Sequence, residues 1–188
     1  MRKHKQNDRI RAVVTILLFV RILFAVPGFA ADEPDVSKRL ILIQGTTLIA
    51  YFEGRYQDVK RDKIFFGYGW LDNHRVFVAY SETSRSEAVA DLEVIDLRQL
   101  RTTKLMRIGG VGESHFDVHP STGEVVYDDS SGIYLLRIDA KTNSYKIVDI
   151  KKDVDCHIAF WVNNKTVGCF LFKNGKMNLM KFPVPELK

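Results

Sequence analysis

The chain has 188 residues, 46% of them hydrophobic, which is a globular composition long enough for one sizeable core. Its formal charge of +5 is confined to the first 30 residues, which carry six basic residues and one acid, while the remaining 158 hold 22 of each sign. A neutral body has no electrostatic reason to bind phosphate backbones, so no nucleic-acid partner is expected.

The N-terminal "MRKHKQNDRIR" is a basic region, followed by the apolar "AVVTILLFVRILFAVPGFA". Gly28 and Ala30 supply small residues at −3 and −1 of a cut after Ala30. This predicts a secretory signal over 1–30, and the long basic region points to a bacterial periplasmic destination. The rival reading is an uncleaved leader, which would be the chain's contact with a membrane. Arg21 interrupts the apolar run, and Pro27 with Gly28 ends it, so it is poor as a span. No Cys follows the run, which excludes a lipoprotein anchor. Residues 31–38 read as a flexible start, and 39–188 as a single domain.

From residue 38 onward, short β-branched and aromatic runs are punctuated by turn residues. "RLILIQGTTLIAYFEG" predicts a hairpin around Gln44-Gly45. Further strands are predicted at "KIFFGYGW", "RVFVAYS", "DLEVIDL", "TKLMRI", "SHFDVH", "EVVYD", "GIYLLRID", "SYKIVDI", "CHIAFWV", "TVGCFLF" and "KMNLMKF". Ser81–Ala90 reads as a long exposed loop. About a dozen strands at this spacing predict an all-β domain.

Three segments share one order of strand, polar turn and strand: "YGWLDNHRVFVAYSE…ADLEVIDLRQL", "FDVHPSTGEVVYDDSSGIYLLRIDAKT" and "AFWVNNKTVGCFLFKNGKMNLMKFP". Trp70, Val118 and Trp161 hold equivalent places, 48 and 43 residues apart, and the excess in the first interval is the Ser81–Ala90 insertion. The period is close to the roughly 40–45 residues of a four-stranded propeller blade. One such sheet cannot bury both faces alone, so the unit recurs.

On "VHPSTGEVVY", "WVNNKTVGCF" and "WLDNHRVFVAY", the chain resembles the periplasmic Tol-type propeller family and related WD-like blades, over roughly 65–183. That family's repeat runs Trp-Ser-Pro-Asp-Gly, a basic residue and an apolar strand. The resemblance implies a propeller-like fold and a periplasmic address, and no catalytic residue. The length allows about four blades, with the last incomplete. "RLILIQ" is the candidate strand for closing the ring, and an open edge would favour self-association.

The stretch "GESHFDVHP" places His115, Asp117 and His119 on one face of a strand. A zinc site would need ligands about 2.0–2.1 Å from the ion. His115 and His119 stand about 13 Å apart on a straight strand, too far to share one. These three are the candidate ligand-binding residues if they line a central channel; the plainer reading has His119 capping the proline turn. No metal or other cofactor is expected.

Asp128 and Asp129 in "YDDSSG" are adjacent, so a strand would send them to opposite faces. "RIGGVGES" is not followed by a helical pattern and reads as an inter-blade loop rather than a phosphate loop. No G-x-S-x-G elbow is present. Phe65, Phe66, Tyr68 and Trp70 read as packing between blades rather than a stacking platform. Cys156 and Cys169 permit one disulfide in an oxidising compartment. A turn at Asn163-Asn164 would pair Ile158 with Cys169, making Cys156 a diagonal neighbour; two buried thiols are the alternative.

These features predict a non-enzymatic periplasmic module that binds a protein or a small ligand, with Ser81–Ala90 on its binding face. The alternatives are a small envelope hydrolase or lyase using His115, Asp117 and His119, or an inactive fragment of a larger propeller.

Overall fold

Fourteen strands and no helix make up the described residues of the computed structural model, which are 40–82, 89–109, 115–129, 131–173 and 176–186. All lie in one unit, Asp35–Lys188. The leader at 1–30, the start at 31–38, positions 83–88 of the predicted loop and Gly110, Gly112 and Ser114 fall outside them.

The strands form four antiparallel sheets in a propeller-like array. Sheet A holds β1 (Leu40–Gln44), β2 (Thr47–Phe52) and β3 (Arg55–Lys60). Sheet B holds β4 (Lys63–Trp70), β5 (Arg75–Glu82), β6 (Val89–Asp96) and β7 (Arg101–Gly109). Sheet C holds β8 (Phe116–Val118), β9 (Val125–Asp129), β10 (Gly132–Ile138) and β11 (Tyr145–Lys152). Sheet D holds β12 (His157–Asn163), β13 (Thr166–Lys173) and β14 (Lys176–Pro183). Within each sheet every strand bonds only to its sequence neighbours.

Alternation along the strands gives each inner sheet two apolar faces, and each face meets a neighbouring sheet. Leu48, Ala50 and Phe52 of β2 pack on Val76, Val78 and Tyr80 of β5, closing the A–B joint. From the other side of β5, Phe77 and Ala79 meet Phe116 and Val118 of β8 and Val125 and Tyr127 of β9 in the B–C joint. The C–D joint joins Val126, Ile133 and Leu135 to Ala159, Trp161, Val167 and the two cysteines. Full burial of each large apolar side chain contributes about 1.5–3 kcal/mol.

The aromatics of β4 divide between joints. Phe65, Tyr68 and Trp70 pack toward sheet A, and Phe66 toward sheet C. Gly67 and Gly69 alternate with them for a steric reason. A Cβ on Gly67 would stand 2.3 Å from the Phe116 carbonyl oxygen, and one on Gly69 would stand 2.6 Å from the Val118 Cβ. Only glycine lets β4 and β8 approach this closely.

Trp70, Val118 and Trp161 stand opposite Val76, Val125 and Val167 respectively. Each belongs to the cluster formed with the preceding sheet. The outer turns match too. Asp96 accepts the amides of Arg98 and Gln99, and Asp139 those of Lys141 and Thr142. Four residues after each aspartate, Leu100 and Asn143 adopt φ of 52° and 56°.

Five expectations need correction. The exposed loop expected over Ser81–Ala90 is shorter at both ends: Ser81 and Glu82 finish β5, Val89 and Ala90 begin β6, and Ser81 and Ala90 are buried. "RLILIQ" closes no ring: β1 bonds only to β2, and sheets A and D have three strands each. The first hairpin turns at Gly45-Thr46, with Gln44 already paired to Thr47. β3 is a strand that "RYQDVK" does not announce, because its charged residues, Lys60 at the A–B rim among them, dilute the apolar signal. The β12–β13 turn lies at Asn164-Lys165, since Asn163 pairs with Thr166. There His157 opposes Phe170, with an irregularity between His157 and Phe160 where Ile158 takes φ of 60°.

Candidate functional site

The polar row of β8 faces sheet D. Phe116 and Val118 turn toward sheet B, so alternation sends Asp117 and His119 the other way. Both are buried, at 4% and 2% exposure. Asp117 Oδ2 accepts the backbone amide of Trp161 at 2.9 Å. His119 Nε2 lies 3.0 Å from Asn164 Oδ1, and its ring meets Trp161 edge-on at 4.7 Å. His119 Nδ1 accepts the amides of Ser121 and Thr122 at 3.3 and 3.2 Å, capping the proline turn. His115 is half-buried and donates its backbone amide to Asp128 Oδ1 at 3.3 Å.

Asp128 is the residue that sequence reasoning undervalued. Its carboxylate also accepts the amide of Ala159 at 2.8 Å. Ala159 and Trp161 lie on β12, and their amides point away from β13, along the free edge of sheet D. Such edge amides need acceptors when buried. Asp128 and Asp117 provide them from the neighbouring sheet. Burial pushes the Asp128 carboxyl up to about 6, against the opposing pull of the Ala159 and His115 amides and of His157. Asp129 points elsewhere, accepting Ser131 and Gly132 amides in the next turn. The alternation of adjacent aspartates was the available signal; the reach of Asp128 across a joint was not.

Among the described residues, no three His, Cys, Asp or Glu side chains converge to hold a metal ion. Cys156 and Cys169 are disulfide-bonded, with Cα atoms 5.8 Å apart.

A second polar constellation sits at the rim of the A–B joint and has no sequence motif. Its centre is Glu93 on β6, 2% exposed. Lys60 of β3 pairs with Glu93, and Tyr80 of β5 donates its hydroxyl to Glu93 Oε1 at 2.9 Å. The Lys60 ammonium also lies 4.6 Å from the centre of the Tyr80 ring. Desolvation, then the Glu93 bond, raises the Tyr80 pKa, so the phenol stays protonated. Lys63 pairs with Glu82 beside it, and Arg107 with Asp91 at 2.7 Å. The β6–β7 surface next to these residues holds a cavity of about 280 Å³, lined by Asp91, Glu93, Lys104, Met106 and Arg107 among others.

The chain matches no protein-family model and no curated protein.

The two constellations differ in what they can do. At the C–D joint, Asp117, His119 and Asp128 are buried and bonded to sheet D or its turn. Those bonds orient a backbone edge. At the A–B rim, paired charges surround the ends of β5 and β6, from which the 83–88 connection departs at Glu82 and returns at Val89. A binding surface built there would be polar, ionic and firmly footed.

Proposed function

We propose that the protein is an exported, propeller-like binding module of the periplasm, non-enzymatic, which engages a protein partner through the 83–88 connection and the charged A–B rim. The observation that carries this reading is the footing of the insertion. The insertion within the first repeat unit, "TSRSEA", joins β5 to β6 of sheet B and is rooted where Glu82–Lys63, Asp91–Arg107 and the Glu93–Lys60–Tyr80 set are held. Insertions within a repeat array commonly form its binding face, and fixed roots lower the entropy lost on binding.

Two features support export. The N-terminal sequence has the order of a secretory signal. The Cys156–Cys169 disulfide suits an oxidising compartment. The resemblance to Tol-type propellers points the same way.

The test has two parts. Mass spectrometry of the purified protein should find an N-terminus at Ala31. A variant with 83–88 replaced by a Gly-Ser linker should melt like the wild type, yet lose partners cross-linked in an envelope extract. Retention of every cross-link by that variant would overturn the loop's role.

A further inference from the structure

The three joints of the array are sealed by hydrophobic clusters, and no such cluster joins sheet D to sheet A among the described residues. Each end sheet therefore keeps one face outside the joints. On sheet D the pairing of Phe170 with Leu179, and the cover of Gly168 by Phe160 and Val162, place these side chains opposite the C–D joint. Met177 shares that face; Val162, Met177 and Leu179 are 37%, 40% and 46% exposed. On sheet A, Leu40 pairs with Tyr51, Leu42 with Ile49, and Tyr51 with Tyr56, opposite the A–B joint. The Tyr51 and Tyr56 rings are 5.0 Å apart, and Leu40 and Tyr56 are 48% and 65% exposed.

We infer that a second copy of this chain covers these faces, sheet D of each copy packing on sheet A of the other to close a ring of eight sheets. A sheet in this array packs against the next sheet through an apolar face, and continuing the order past D calls for another such face, which sheet A of a second copy carries. A two-fold pair makes both missing joints at once, so the assembly closes instead of growing. Eight sheets lie within the roughly four to eight of closed propellers. The inference uses faces other than the 83–88 connection and stands or falls without it.

The experiment is light scattering on the purified full chain at micromolar concentration, with the N-terminus read by mass spectrometry. The expected mass is two chains. Leu179→Glu and Tyr51→Glu should each give monomers with unchanged circular dichroism, since every joint then contains one altered face. Mixing the two variants should restore a weaker two-chain species, because one joint pairs two unaltered faces. Met177→Lys and Leu40→Lys replace them if either fails to fold. A monomeric wild type overturns the inference, as does a dimer that survives either variant or a mixture that stays monomeric. Protection of the Leu179 face by a retained leader in a monomer, read by hydrogen exchange, overturns it too.

Discussion

Asp117 and Trp161 are joined across two sheets: the carboxylate on β8 accepts the backbone amide on β12 at 2.9 Å, with the indole buried beside it. The bond belongs to the backbone of one sheet and the side chain of another, so it fixes their relative position. Asp117→Ala should leave a buried amide without this acceptor, at a cost of about 1–3 kcal/mol. For a unit of this size that is a fall of about 2–4 °C in Tm per kcal/mol. Asp117→Asn keeps a carbonyl acceptor and should lose less. Calorimetry of the three proteins at one pH checks the order.

The pH dependence of stability should carry a contribution from Asp128. Its pKa is raised from 3.8 to about 6 in the folded protein, chiefly by burial. The folded state therefore holds the proton more tightly than the unfolded chain. This contribution is fully present below the unfolded pKa and is lost as pH rises through about 6. The melting difference between wild type and Asp128→Asn should thus change between pH 4 and 7, in favour of the wild type at the acid end. A difference that is flat across that interval would contradict the assignment.

Much of the architecture is legible in the sequence. Near-continuous apolar runs such as "RVFVAYS" and "GIYLLRID" announce strands because each inner sheet buries both faces. The repeat spacing from Trp70 to Trp161 announces three similar units, and the chain length allows about four. What stayed hidden depended on long-range geometry. β3 has too few apolar residues to declare itself. The open ring turns on which sheet β1 joins, and local pattern does not encode that. In the candidate sites, "HFDVH" correctly puts its polar residues on one face, and His119 caps its turn. That this face docks against another sheet was invisible, and the Lys60–Glu93–Tyr80 set unites residues from three strands with no motif.

Breaking that set from one side should be costly. Lys60→Ala leaves the buried Glu93 carboxylate without its cation, a loss of about 3–5 kcal/mol for a fully buried pair and less here because Lys60 is 20% exposed. Lys60→Met combined with Glu93→Leu should recover most of it, since no charge is then stranded. Urea denaturation of the singles and the double gives the coupling directly.

The Cys156–Cys169 bond closes a short loop, with a sequence separation of 13. Restricting the unfolded chain over such a loop stabilises by about 3 kcal/mol. Replacing both cysteines by Ala should lower the urea midpoint accordingly. The slope of the transition should rise slightly, because the unfolded chain without the cross-link exposes more surface.

Because each strand bonds only to its neighbours in the chain, no pairing among the described residues ties the first sheet to the last. A gene that gained one more unit after β14, or duplicated an internal one, would add a sheet without rethreading any existing hydrogen bond. The array is extensible by construction, and its length is set by how many copies of the unit the message encodes.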